Sequence, residues 1–364
     1  MPARALPAPK VAKESGFLLS NGVPAQVKSL PQFRYMGSKF RLLEWIHDTI
    51  HPLAFDTAVD AFSGSGAVSY LLKAMGKGTY TNDSLQFPST LSSALIANNS
   101  EQLDETDLST IDKARARLVS EKFIQRTFPG IFYTDEDLKF LDNAWCGIRE
   151  LGNPSKQALA IAALLRSAVK RQPRGLFTVA GDPEKYKDGR RDLQLTLKEH
   201  FLEQAQIYND AVFDNGKHNF SNHGDIFDLS TKADLVYMDP PYVPRSDDNC
   251  YMKRYHFLEG LSCYWKNQEI KQDSKVKKIV KPFTPFAYRR TALEAFDSLF
   301  RKFADSTLVL SYSSNAYPDL ATLIEIMARY KKSVEVVERE HRYHFGTHAQ
   351  AKRNVVQEYL IIGI

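Results

Sequence analysis

From Gly37 onward the apolar positions Phe40, Leu43, Ile46 and Ile50 recur every three to four residues, a spacing that predicts a helix with one buried face ending at His51-Pro52. The pattern then shortens. Phe55 to Phe62 is brief and partly β-branched, Ser63-Gly-Ser-Gly66 breaks it, and Ala67 to Met75 is rich in helix formers, so the segment reads strand, glycine turn, helix. A second strand is predicted at Thr79 to Thr81, ending at Asn82-Asp83, and further strands at Asp234 to Met238 and Thr307 to Ser311. These runs are short enough for the central strands of a parallel sheet. Ser333 to Glu338 alternates apolar and polar residues, and Asn354 to Ile362 is a second strand-like run. That pair predicts an antiparallel ribbon closing one edge. Residues 101–215 read as mainly helical, with Ala158 to Val169 the clearest helix. The fold class is therefore α/β, with a mostly parallel sheet, a C-terminal antiparallel ribbon and a helical insertion.

Composition narrows the class without naming a function. The chain has 364 residues, which suits two domains or one α/β domain with a large insertion, and no apolar stretch approaches the roughly 18 residues of a membrane span. A soluble protein with no membrane partner is expected. Cys146, Cys250 and Cys263 make an odd set without a CxxC, so neither a disulfide framework nor a structural metal site is supported, and a cytoplasmic setting is expected. Residues 1–32 carry Pro2, Pro7, Pro9 and Pro24 but no apolar signal core, and read as a flexible arm. The net charge of +5 understates two basic regions. Arg166, Lys170, Arg171 and Arg174 cluster without an acid among them, and between 253 and 290 ten Lys or Arg, beginning with Lys253 and Arg254, face three acids. Such patches suit a nucleic-acid backbone, although for either one alone a solvated face is the commoner explanation.

Asp239-Pro-Pro-Tyr242 follows directly on a predicted strand, where open α/β sheets place their ligands. Two prolines restrict the chain and offer no donors, leaving carbonyls beside a fixed carboxylate and a flat ring. This set suits an exocyclic amine on a planar base, with Asp239 and the Pro240 carbonyl accepting its two N–H groups and Tyr242 stacking. A proline-stiffened strand exit is the alternative. Asp60-Ala-Phe-Ser-Gly-Ser-Gly66 lets a backbone approach a cofactor, but it matches neither GxGxxG nor a P-loop, which disfavours a nicotinamide or ATP enzyme. Asp83 sits where a carboxylate can bind ribose hydroxyls, or where it simply caps a helix.

Taken in order, Tyr35-Met-Gly-Ser-Lys39, Asp60 to Gly66, Asp83, Gly224-Asp225-Ile226 and Asp239 to Tyr242 resemble the motifs of the Dam-like, alpha-class DNA adenine-N6 methyltransferases. The resemblance spans most of 33–364, with Tyr-Met-Gly-Ser-Lys in place of the Trp-Ala-Gly-Gly-Lys of the best-known members. It implies a Rossmann-like S-adenosylmethionine-dependent core at 33–100 and 216–364, a target-recognition insertion at 101–215 and a basic DNA-contacting loop at 245–290. By position, it implies that Tyr35, Lys39, Asp60, Phe62, Gly64 and Gly66 surround S-adenosylmethionine, Asp83 its ribose, and Asp225 and Ile226 its adenine. Asp239, Pro240 and Tyr242 would hold a target adenine flipped out of duplex DNA. Arg166, Lys170, Arg171, Arg174, Lys253 and Arg254 would contact that DNA, and a cognate restriction endonuclease is a possible partner. Tyr255 to Gly260 and Leu308 to Asn315 also look like family segments, and His341 to His348 reads as a solvated or DNA-facing loop without a metal. The rivals are an RNA adenine or protein-glutamine methyltransferase and a non-catalytic DNA-binding subunit.

Overall fold

The computed structural model describes residues 22–173, 175–181, 189–243, 251–342 and 355–364. Its strands are β1 (Thr57–Asp60), β2 (Gly78–Asp83), β3 (Phe220–His223), β4 (Leu235–Met238), β5 (Thr307–Ser313), β6 (Val334–Arg342) and β7 (Val355–Gly363). They form one sheet in the order β3-β2-β1-β4-β5-β7-β6. Strands β1 to β5 run parallel, and β7 is antiparallel to both β5 and β6. The parallel sheet and its C-terminal ribbon agree with the sequence pattern. Strand β3 was not foreseen, because Phe-Ser-Asn-His carries almost no apolar signal.

Helices α1 (Leu43–Ile50), α2 (Ala67–Ala74) and α3 (Gln86–Ser92) accompany the first strands in the chain. The insertion contains α4 (Glu105–Lys113), α5 (Phe123–Thr127), α6 (Asp135–Glu150), α7 (Pro154–Arg171), α8 (Arg191–Gln194) and α9 (Leu197–Ala211). Helix α10 (Tyr251–Cys263) comes after β4, α11 (Arg289–Lys302) before β5, and α12 (Leu320–Met327) after it. The long insertion helices are set by local chemistry. Thr134 caps α6 ahead of three first-turn acids, while Asn153 caps α7, which starts with proline and ends with Lys170 and Arg171. These choices satisfy orphan N–H groups and complement the helix dipole.

Alternation along the strands divides the interior in two. Ala58, Leu235, Tyr237 and Val309 join one apolar cluster, which continues through α1, α2, α7 and α10. Val59, Val236, Met238 and Leu310 join the other, packed by α11 and α12. A parallel sheet covered on both faces in this way needs strands that are apolar throughout, and all four residues of β4 are buried. The insertion shares the first cluster with the sheet, so it has no separate core.

Two boundaries differ from expectation. The N-terminal arm is anchored within its expected span: residues 25–29 form a 3-10 turn, and Val27 and Leu30 are buried in the first cluster. The expected loop at 245–290 includes α10, whose Tyr255, Phe257, Leu258 and Leu261 are buried. Residues 343–348 of the histidine-rich stretch, and Arg174, lie outside the described residues, while His341 pairs with Val356 in the ribbon.

Candidate active site at the ends of β1 and β4

Strand β1 pairs with β2 on one side and β4 on the other, which makes its carboxyl end a topological switch point. Asp60 pairs in register with Tyr237, so Asp60 and the Asp239 that follows β4 converge there. One Asp60 oxygen accepts a 2.5 Å bond from the Ser69 hydroxyl. The other is buried and has no hydrogen bond of full geometry among the described residues, although the Phe62 N–H lies near enough to favour the charged carboxylate. Burial pushes the carboxyl up to about 7, opposed by the Ser69 hydroxyl and the Phe62 N–H and assisted by the Asp239 and Asp83 charges.

The glycine turn adopts left-handed backbone at Gly64 (φ +50°) and at Gly66 (φ +75°), which immediately precedes α2. A Cβ on Gly64 would stand 3.0 Å from the Tyr35 ring, so the motifs containing these residues are in contact. Asp83 holds the turn from the side, accepting from the Gly64 N–H and the Leu85 N–H, each at 2.9 Å. Burial raises its carboxyl to about 6, opposed by the backbone N–H groups of Leu85, Gly64 and Ser84.

Helix α10 fastens the N-terminal motif. The Tyr255 hydroxyl accepts from the Met36 N–H at 2.7 Å, and its ring stacks on Tyr35 with centroids 5.4 Å apart and planes 4° from parallel. One turn later, Glu259 accepts from the Gln86 and Phe87 N–H groups at the start of α3. Burial lifts Glu259 to about 7, with those two bonds opposing. The segment Tyr255 to Gly260 thereby ties Tyr35 and the chain just beyond β2 to one helix. The Ser38 and Ser65 hydroxyls, 3.1 Å apart, make a second tie between motif and turn.

The charged pair in the cleft was not foreseen. Lys39 Nζ donates to Asp239 Oδ2 at 2.6 Å, joining residues 200 positions apart. Lys39 is 5% exposed and Asp239 20%. Burial works against the Lys39 ammonium, but the neighbouring charges, Asp239 first, outweigh it and hold its pKa above the ordinary value. Burial raises Asp239, and the charge and hydrogen bond of Lys39 oppose this. Tyr242 meets Tyr312 edge-on with ring centroids 5.6 Å apart, and Pro240 is buried.

A cleft of about 250 Å³ lies here, and Lys281 to Thr284 with Ala287 and Tyr288 form part of its wall. Tyr35, Lys39, Asp60, Phe62, Gly64 and Asp83 line it with Asp239 and Tyr242. Gly66, Pro240, Asp225 and Ile226 do not. Asp225 is exposed and caps a short 3-10 turn, and Ile226 is buried in the second apolar cluster.

The basic residues of α7 also depart from expectation. Arg171 is buried and donates to Asp137 at 2.9 Å and to the Leu193 carbonyl. Lys170 pairs with Asp192, and Arg166 donates to the Gln32 carbonyl and to Gln204. The cluster lacks acids only in sequence, because α6 and α8 supply them in space. Arg171 is thus a buried structural cation and not an open phosphate contact. Lys253 and Arg254 are half-buried on α10.

A family model described as D12 class N6 adenine-specific DNA methyltransferase matches residues 35–311. The chain is 30% identical over 328 residues to Type II methyltransferase M2.HphI of Haemophilus parahaemolyticus, covering 86% of this chain and 92% of that protein. It is 23% identical to Modification methylase LlaI of Lactococcus lactis subsp. lactis, over 88% of this chain and 52% of the relative. It is 25% identical to Type II methyltransferase M.FokI of Planomicrobium okeanokoites, over 77% and 44%. The chain therefore spans nearly the whole of the first relative and about half of the other two.

Proposed function

Because the chain belongs to the D12 class N6 adenine-specific DNA methyltransferases, we propose that the cleft at the ends of β1 and β4 is where methyl transfer takes place. The donor is S-adenosylmethionine, and the acceptor is an adenine flipped out of duplex DNA. The donor set fits that cofactor: a left-handed glycine turn, the aromatic Tyr35, and the carboxylates Asp60 and Asp83, of which Asp60 keeps one buried oxygen with no fully formed hydrogen bond among the described residues. Amino or hydroxyl groups of a ligand would satisfy that oxygen. When bound, S-adenosylmethionine supplies an electrophilic methyl group on a sulfonium.

The protein's part is to aim and polarise the target amine. Asp239 and the Pro240 carbonyl accept its two N–H groups, which localises a lone pair otherwise delocalised into the ring, and Tyr242 stacks on the base. Lys39 keeps Asp239 an acceptor. In so buried a place the carboxyl would tend to take up a proton, and the ammonium at 2.6 Å opposes that. No covalent enzyme intermediate is needed. The observation that carries this reading is the Lys39–Asp239 contact, which joins the N-terminal motif to the strand exit in one cleft.

The test is transfer of labelled methyl from S-adenosylmethionine to DNA, RNA and protein substrates by Asp239→Ala. Loss of nearly all transfer to DNA with cofactor affinity retained supports the assignment, and near-normal turnover refutes it. The relatives' names support a modification role beside a restriction endonuclease, checked by whether DNA treated with the protein resists cleavage by that endonuclease.

A further inference from the structure

The part of the cleft wall formed by Lys281 to Thr284, Ala287 and Tyr288 follows a small structure of its own in the chain. Ile270 bridges Ile279 in antiparallel fashion, the Lys271 N–H donates to the Lys278 carbonyl and the Val280 N–H to the Glu269 carbonyl, so residues 269–280 form a small ribbon. The chain then passes through Lys281-Pro-Phe-Thr-Pro-Phe-Ala-Tyr288 into α11. Phe286 points inward, buried and stacked on Phe227, with edge-on contacts to Phe62 of the glycine turn and to Phe296. Phe283 and Tyr288 point outward. They are 69% and 42% exposed and stack on each other, with centroids 5.4 Å apart and planes 13° from parallel.

Single exposed aromatics are ordinary, but this is a stacked pair in the wall of the reaction cleft. It is also held rigidly. Pro282 and Pro285 restrict the backbone on both sides of Thr284, the Thr291 hydroxyl donates to the Pro285 carbonyl at 2.7 Å, and Phe286 anchors the loop in the core. Lys281 places its ammonium 4.9 Å from the centre of the Tyr288 ring. No carboxylate of the described residues pairs with Lys271, Lys275, Lys277, Lys278 or Lys281. Arg289 and Arg290 are exposed at the head of α11. The wall thus offers an open aromatic face among unneutralised cations, complementary to a polymer of flat rings joined by phosphates.

We propose that Phe283 and Tyr288 form a stacking platform for the nucleobase next to the target adenine on the methylated strand, while the ribbon lysines grip the adjoining phosphates. The proposal rests on the reading that Asp239, Pro240 and Tyr242 take the target base, which leaves the rim for its neighbour. Extruding one base strips its neighbour of a stacking partner. A rigid aromatic pair at the cleft mouth replaces it and holds the strand in register.

The test uses the full chain, with S-adenosylhomocysteine present to prevent turnover, and duplex oligonucleotides carrying the site mapped by sequencing methylated DNA. The Phe283→Ala, Tyr288→Ala double variant should bind DNA about 5- to 150-fold more weakly, the range for loss of one base–aromatic stack. An abasic residue at one of the two positions flanking the target should weaken the wild-type protein by a similar factor and the double variant hardly at all, a non-additivity that marks direct contact. The Phe283→Tyr, Tyr288→Phe swap should restore wild-type behaviour. Additive losses, or a double variant that binds like the wild type, would overturn the platform. The two readings fail separately: Asp239→Ala with normal turnover sinks the catalytic assignment whatever the stacking results, and an inactive Asp239→Ala alongside an indifferent double variant sinks only the platform.

Discussion

The basic cluster of α7 and the basic segment 266–290 look alike on paper and behave oppositely in the fold. In the first, Arg171 is buried against Asp137 and Lys170 pairs with Asp192, both acids arriving from other helices. In the second, the lysines of the ribbon have no carboxylate partner among the described residues, and the chain runs on from them into the cleft wall at Lys281. Charge density along a chain does not identify an electrostatic face. What decides is whether the tertiary structure brings opposite charge to the same place, and a neutralised, buried cation contributes little to the field a polyanion meets.

The largest effect that sharpens this contrast is on stability. Arg171→Ala would leave Asp137 buried, with the Leu197 N–H as its remaining donor among the described residues, and should cost about 3 to 5 kcal/mol in a denaturant titration. The salt dependence of DNA binding by the folded fraction should stay unchanged. A slope lowered by about one would return Arg171 to the phosphate contacts.

Asp60 tests the same logic with a buried carboxyl that has no cation paired with it among the described residues. Its folded pKa of about 7 lies above the ordinary value near 4, so the folded state holds the proton more tightly. Its favourable contribution is complete below about pH 4 and disappears as pH rises through 7. Asp60→Asn should therefore stabilise the protein at pH 8 by on the order of 2 kcal/mol and flatten the dependence of Tm on pH between 4 and 7. Cofactor affinity should fall in the same variant. A protein neither stabilised nor impaired would mean that Asp60 ionises freely.

The smallest effect on folding belongs to the ribbon. Replacing Lys271, Lys275, Lys277 and Lys278 by Gln should move stability by no more than about 0.5 kcal/mol per site. The slope of log affinity against log salt should drop by about one for each phosphate that a removed lysine had neutralised. An unchanged slope would make the two basic regions equivalent after all.

Much of the fold is legible along the chain, for local reasons. Strands β1, β4 and β5 are dense in apolar residues because both faces of the sheet are covered, and the glycine turn and Asp239-Pro-Pro-Tyr242 show themselves by backbone requirements that few residues meet. Strand β3 escapes such a reading because an edge strand needs little apolar surface. Asp225 and Ile226 take their expected role from position in a motif, and neither side chain lines the cleft.

The chain by itself determined the strand and helix periods, the turn that only glycines make easily, and the order of motifs that identifies the family. Those are consequences of neighbouring residues, felt within a few positions. Only the tertiary structure decided that Lys39 meets Asp239 across 200 residues, that Glu259 caps α3, that Arg171 is neutralised and that Phe283 and Tyr288 face the cleft. Each of these depends on which charges and rings share a small volume after folding, and spacing along the chain carries no measure of that distance.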